Sequence, residues 1–249
     1  MRYKALILDL DGTTLPHGFS SHPSVRVKAA IARAQKFVHV SLATGRPLNI
    51  TKPIIAELGI IGLCSVHDST QLYDPMKDEI IDVVTIENGK VLEVLSSLSG
   101  ISGKILIGLK NDETEYKKGS LPNDICDIAV PDISENIVDS YIEKVSKVDG
   151  IYVHKIPSWK GDLFWLVVSS AVATKLHAVV KIAELEKIKP EEIIGVGDSY
   201  NDYPLLSACG LKIAMGNAVP ELKAIADFIA PTVDEDGVAV VIEKFILNQ

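Results

Sequence analysis

The sequence predicts an α/β protein: a doubly wound parallel sheet that is interrupted by a smaller α+β segment and then completed. Three observations predict it. Apolar strand-like runs alternate with amphipathic helical stretches up to "IIGLCSVHD" at residues 60–68, which implies right-handed crossovers and a sheet covered on both faces. The rhythm breaks at "TQLYDPMKDEIIDVVTI", two alternating runs around a turn that read as a hairpin. It resumes at Thr174 and holds to the last helix.

The elements follow in order. The first strand lies in "YKALIL", and "SSHPSVRVKAAIARAQKF" opens with serine caps and carries Val27, Ala30, Ile31 and Ala34 at helical spacing. "FVHVSLAT" (37–44) is the next strand, "RPLNITKPIIAELG" a helix ended by Gly59, and "IIGLCSVHD" a further strand. After the hairpin, the segment from Glu87 to about Val168 reads as helix, strand, a polar stretch with "NDICDIAV" as a strand, helix and two strands. The last third gives a helix at 174–188, the strand "EEIIGVGD", a helix around "NDYPLLSAC", a short strand "LKIAMG", and the helices "AVPELKAIA" and "GVAVVIEKFIL". The expected domains are therefore a discontinuous core, 1–84 with 169–249, and an α+β insert, 85–168, of a size usual for a single domain.

Composition excludes several classes. The chain has 249 residues, 47% of them hydrophobic and 23% charged, which fits a globular protein with a proper core. A net charge of -8 disfavours nucleic acid as a partner of the surface as a whole. Cys64, Cys126 and Cys209 lie far apart in apolar surroundings, without the close pairing of zinc sites or secreted disulfide frameworks. No stretch is long enough for a membrane span, and the apolar start is too short for a signal peptide. The expectation is a cytoplasmic protein without a membrane partner; oligomeric state has no signal.

In an open parallel sheet, function gathers at the carboxyl ends of the strands, and four such places carry unusual polar residues. In "DLDGT", period two puts the side chains of Asp9 and Asp11 on one side of the strand, and Gly12 permits a sharp turn. Two carboxylates this close suit a hard dication, or one carboxyl held protonated as an acid. In "LATGRP", Thr44 and Gly45 follow a strand and offer a hydroxyl and backbone N–H groups to an anion, although a capping threonine is commonplace. Lys175 stands in the first turn of a helix, where a cation opposes the dipole; an exposed lysine is the default there unless an anion is beside it. "GVGDSYNDYPLL" places Asp198, Asn201 and Asp202 in a turn after a strand, either as solvated turn residues or as a dication site.

The order "DLDGT", "ATGR", Lys175, "GDSYND", together with "MGNAVPELKAIADF" and "DEDGV", resembles the haloacid dehalogenase (HAD) superfamily, and most nearly its Cof-type branch, whose cap domain lies between the second and third motifs. The resemblance implies a Rossmann-like core and a Mg2+-dependent phosphatase acting on a small phosphorylated metabolite, a sugar phosphate or a phosphorylated cofactor such as pyridoxal phosphate or a flavin nucleotide. It implies Asp9 as nucleophile, Asp11 as acid and base, and Thr44 and Lys175 as grips on the transferring phosphoryl group. Gly12, Gly45, Arg46 and Asn201 join the phosphate and substrate site, and Asp9, the Asp11 backbone carbonyl, Asp198 and Asp202 form the Mg2+ site.

Two departures stand out. Leu176 occupies a place where this branch usually has glycine, and His67, Asp68 and Ser69 in "HDST" replace its usual Asn-Gly. Trp165 reads as packing, and Trp159 as a residue that could line the substrate entrance. His17, His22, His39, His154 and His177 show no metal-ligand spacing and read as structural or exposed. The competing functions are a phosphomutase or phosphotransferase using the same nucleophile, a phospho-aspartate receiver, and an inactive metabolite-binding protein.

Overall fold

The computed structural model describes residues 2–18, 21–158 and 160–248, and divides into two compact units, Met1–Ile81 with Thr174–Gln249, and Asp82–Ala173. These junctions fall a few residues from the 84/85 and 168/169 boundaries read from the sequence, because the last strand of the insert runs on to Ser170.

In the first unit, β1 (Ala5–Leu8), β2 (His39–Leu42), β11 (Ile193–Gly197), β12 (Leu211–Ala214) and β13 (Phe228–Ile229) form a parallel sheet in the order β13-β12-β11-β1-β2. The chain moves outward from β1 on one side and from β11 on the other, so the switch point lies between these two strands. All four residues of β1 are buried, which requires cover on both sheet faces. Helix α1 (Val25–Ala34) supplies part of it through Val27, Ala30, Ile31 and Ala34, the residues its periodicity picks out, and Ser24 caps it by accepting from the Val27 N–H at 3.0 Å. α2 (Leu48–Leu58) packs beside α1, and α5 (Lys175–Glu186) packs against α6 (Tyr203–Ser207). α7 (Pro220–Ile225) lies against β12, and α8 (Gly237–Ile242) packs on α1 and continues as a π-helical turn over Glu243–Leu247.

The strand "CSV" departs from expectation. β3 (Cys64–Val66) does not join the parallel sheet; it pairs antiparallel with β4 (Gln71–Asp74), which pairs with β5 (Glu79–Val83). A single parallel bridge, Ala43 to Ser65, ties it to the end of β2. Only three residues of the apolar run are extended, so its hydrogen bonds go to the hairpin that follows directly. β13, absent from the sequence expectation, has only two residues and no periodicity to show.

The second unit is an antiparallel sheet, β7-β6-β8-β10-β9, built from β6 (Leu106–Gly108), β7 (Glu113–Glu115), β8 (Asp127–Ser134), β9 (Ile151–Pro157) and β10 (Leu163–Ser170). Ile107, Ile128, Val130, Leu166 and Val168 from the strands pack with residues of α3 (Asn88–Ser97) and α4 (Glu135–Val145) in one core. β7 is wholly polar and exposed and pairs only with β6, so it carries no apolar alternation for a sequence reading to detect. No helix among the described residues is long and apolar enough to cross a membrane. Ile128→Ala, which empties a fully buried position, is expected to lower stability by about 2–5 kcal/mol in a urea titration.

Candidate active site

The carboxyl ends of β1, β2 and β11 and the first residue of α5 bring four separated stretches of chain together within the first unit. Asp9 follows β1 directly, tied by its N–H to the Val196 carbonyl at 2.9 Å, and Asp198 follows β11. Lys175, the first residue of α5, is 5% exposed, and its Nζ lies 2.5 Å from Asp9 Oδ1 and 2.5 Å from Asp202 Oδ1. The anions that reverse the helix-dipole argument are therefore present, and the default reading of Lys175 as an exposed lysine is corrected.

Asp9, Asp198 and Asp202 each offer a carboxylate oxygen, and these oxygens lie within 4.8 Å of one another. Asp202 has both oxygens engaged: Oδ1 with Lys175, and Oδ2 with the N–H groups of Asp198 and Ser199 at 2.9 and 3.0 Å. Asp198 Oδ1 accepts from the Thr13 hydroxyl at 2.8 Å, and Oδ2 lies 3.6 Å from His17 Nε2. The Asp11 carboxylate stands apart from this cluster, on Arg46: Nε donates to Oδ2 at 2.8 Å and Nη2 donates to Oδ1.

Electrostatics follow from burial. Desolvation pushes the Asp9 carboxyl well above the ordinary carboxylate range; Asp202 and Asp198 push the same way, and Lys175 pulls back only in part. Desolvation raises Asp198 too, opposed by the Thr13 hydroxyl and reinforced by Asp202. Burial alone would lower the Lys175 ammonium, but Asp202 and Asp9 outweigh it and raise it. Three buried carboxylates against one ammonium leave two negative charges uncompensated, and an all-oxygen donor set with that deficit fits a hard dication such as Mg2+.

The second predicted region lies alongside. Thr44 is buried and its hydroxyl accepts from the Arg46 N–H at 3.1 Å, which leaves its own proton to donate. A Cβ on Gly45 would come 2.7 Å from Asp68 Oδ1, so any larger residue there would displace the Asp68 carboxylate. Beneath it, His67, Asp68 and Ser69 have φ of 55°, 51° and 64°, three consecutive non-glycine residues in the left-handed region, each costing about 1–2 kcal/mol. The turn donates the His67 N–H to the Arg46 carbonyl at 2.9 Å and the Asp68 N–H to the Gly45 carbonyl at 3.2 Å.

Gly12 has φ of 80°, and an added Cβ would lie 2.4 Å from Asp198 Oδ2. Asn201 is exposed in the 3-10 turn that precedes α6, and Leu176 is 44% exposed, pointing away from the buried cluster that Lys175 enters. Trp159 lies outside the described residues. Three neighbours lie outside the site that the sequence predicts. Thr13 stands inside "DLDGT", but nothing in the pattern says it meets Asp198. Asn217, in "MGNAVPELKAIADF", donates to the Gly12 carbonyl at 2.8 Å and accepts from the Val233 N–H at 2.9 Å. His17 has no spacing signal, and its side chain is 70% exposed while lying beside Asp198.

Comparison with known proteins identifies the family. A family model described as haloacid dehalogenase-like hydrolase matches residues 6–118 and 107–242. The chain belongs to the haloacid dehalogenase-like hydrolases. It is 42% identical to phosphatase YwpJ of Bacillus subtilis (strain 168), over 95% of this chain and 97% of that one. It is 24% identical, over 99% of both, to 5-amino-6-(5-phospho-D-ribitylamino)uracil phosphatase YwtE of the same organism. The fold matches a haloacid dehalogenase-like hydrolase from B. subtilis with a TM-score of 0.81 at 21% identity, covering 97% of this chain and 99% of that one. It also matches the subclass IIB sugar phosphatase BT4131 with a TM-score of 0.77 at 20% identity, covering 97% and 98%. This HAD-like hydrolase is a Cof-type phosphatase by family.

Two outcomes are expected. Gly12→Ala displaces Asp198 and lowers phosphatase turnover by about 100-fold, measured as phosphate release. Asp9 and Asp198, whose pKa values are raised on folding, bind protons more tightly in the native state. Their contribution is complete at acid pH and is lost as pH rises through the raised values. Melting temperature in EDTA therefore falls as pH climbs above the ordinary carboxylate range, and Asp9→Asn flattens the fall and raises the melting temperature at neutral pH.

Proposed function

We propose that this HAD-like phosphatase hydrolyses a small phosphorylated metabolite through an aspartyl-phosphate on Asp9, with Mg2+ as its cofactor. The observation that carries the reading is the Asp9 carboxylate, buried beside Lys175 at 2.5 Å and within a cluster of two further carboxylates. Asp9 Oδ1 faces the ammonium, which favours the ionised carboxylate against its burial and leaves Oδ2 for the substrate phosphorus. Of the three Lys175 donors, two meet Asp9 and Asp202, and the third is left for a phosphoryl oxygen. The Thr44 proton and the Gly45 N–H serve the same oxygens, with Asn201 at the rim.

Asp11 gives a proton to the departing alkoxide as the P–O bond breaks, and takes one from the water that later attacks the aspartyl-phosphate. Asp9, Asp198 and the Asp11 backbone carbonyl would hold Mg2+, and Asp202, saturated by Lys175 and two N–H groups, steadies them. When bound, Mg2+ supplies the positive charge that balances the carboxylates and the phosphoryl dianion. Sugar phosphates and phosphorylated cofactors are the substrate class favoured, since relatives named above act on a phosphoribityl compound and on sugar phosphates.

Phosphate release from a panel of sugar phosphates, the phosphoribitylaminouracil, pyridoxal phosphate and flavin mononucleotide tests the reading. Activity is expected to require Mg2+ and to vanish in EDTA. Asp9→Asn is expected to lose about 1,000-fold or more, a loss on the scale of removing the nucleophile. Retained turnover in that variant refutes the covalent mechanism.

A further inference from the structure

We infer that Arg46 positions Asp11 for proton transfer, and that this, rather than binding of the phosphoryl group, is its main task. The inference rests on the phosphatase reading above. Arg46 is 7% exposed, and its guanidinium grips the Asp11 carboxylate along one edge, Nε on Oδ2 at 2.8 Å and Nη2 on Oδ1. Nη2 also donates to the Gly18 carbonyl at 3.1 Å, which fixes the rotation of the guanidinium plane. A planar fork of this kind sets both the place and the plane of a carboxylate, which a lysine cannot do. Asp11 needs that constraint because its side chain is 34% exposed and sits in a turn after β1, where Arg46 alone among the described residues holds its oxygens.

The fork is itself anchored. The Arg46 N–H is held by Thr44 Oγ1 at 3.1 Å, and the Arg46 carbonyl accepts from the His67 N–H at 2.9 Å and from the Thr51 hydroxyl at 3.2 Å. The three left-handed residues from His67 to Ser69 thus secure the backbone from which Arg46 reaches Asp11. Each Asp11 oxygen spends one lone pair on the fork and keeps another toward the leaving group. As the P–O bond breaks, its electron pair stays on the alkoxide oxygen, which takes the Asp11 proton, and the carboxylate left behind retains the fork. The competing role runs through Nη1, which is buried and has no partner among the described residues; it would make Arg46 chiefly a ligand of a substrate oxygen.

The two roles separate in a leaving-group series. Wild type, Arg46→Met, Arg46→Lys, Asp11→Asn and the double variant Arg46→Met/Asp11→Asn are assayed with p-nitrophenyl phosphate, whose leaving group needs no proton, through to phenyl phosphate, whose leaving group does. Asp11→Asn sets the signature of a lost acid: turnover that falls more steeply with leaving-group basicity. Positioning predicts that Arg46→Met copies it, losing at least about 10-fold more kcat on phenyl than on p-nitrophenyl phosphate, with KM changed little. The double variant then loses no more than Asp11→Asn alone. Arg46→Lys, with the charge but no fork, follows Arg46→Met and carries the comparison if the methionine variant does not fold. A loss that is uniform across the series with a raised KM, or losses that multiply in the double variant, overturns the inference. If wild type releases no phosphate from these esters or from the metabolite panel above, the phosphatase reading itself fails and the inference falls with it.

Discussion

The burial of Asp9, Asp198 and Asp202 around the Lys175 ammonium is the constraint on which the rest of the first unit depends. Carboxylates out of water repel one another and lose hydration, and a single buried cation offsets only part of that cost. The architecture tolerates the arrangement because every partner is supplied by rigid structure. Backbone N–H groups satisfy Asp202, the Thr13 hydroxyl satisfies Asp198, and the Lys175 side chain arrives from the first turn of a helix. What stays uncompensated is negative charge at the carboxyl ends of the central strands, which is the chemistry a dication and a phosphoryl group together complete.

A parallel sheet suits this load. Its central strands β1 and β11 are buried on both faces, so their backbones are held by neighbours on each side and their carboxyl ends are fixed in register. Asp9 and Asp198 leave adjacent strands at the switch point, where the chain winds away in opposite directions and leaves a crevice. Stability and reactivity are divided along each strand: apolar residues carry the first, and the residue immediately past the last of them carries the second.

Alongside the charged cluster lies a second arrangement, in which the Arg46 guanidinium grips the Asp11 carboxyl group. Its cost is held in the backbone, where His67, Asp68 and Ser69 accept left-handed geometry while pinning Gly45 and Arg46. Asn-Gly, the usual pair in Cof-type chains, would take such geometry more easily. Strain retained beside the reacting groups, when a simpler residue pair would relieve it, is consistent with a turn whose side chains also matter.

Much of this was legible in the sequence. The helical spacing of Val27, Ala30, Ile31 and Ala34 names the buried face of α1, and "DLDGT", "ATGR" and "GDSYND" mark three of the contributing strand ends, because periodicity and turn chemistry are local properties. β3, β7 and β13 were misplaced or unseen, since pairing partner and edge position depend on residues elsewhere in the chain. The sequence by itself determined the fold class, the order of the motifs and the residue types available for chemistry. Only the tertiary structure decided that Lys175 is buried between Asp9 and Asp202, that Asp11 faces Arg46, and that Thr13 and Asn217 support the site. Those contacts join residues as far apart as Gly12 and Asn217, and no local pattern records which distant side chain will meet a given carboxylate once the sheet has closed the distance.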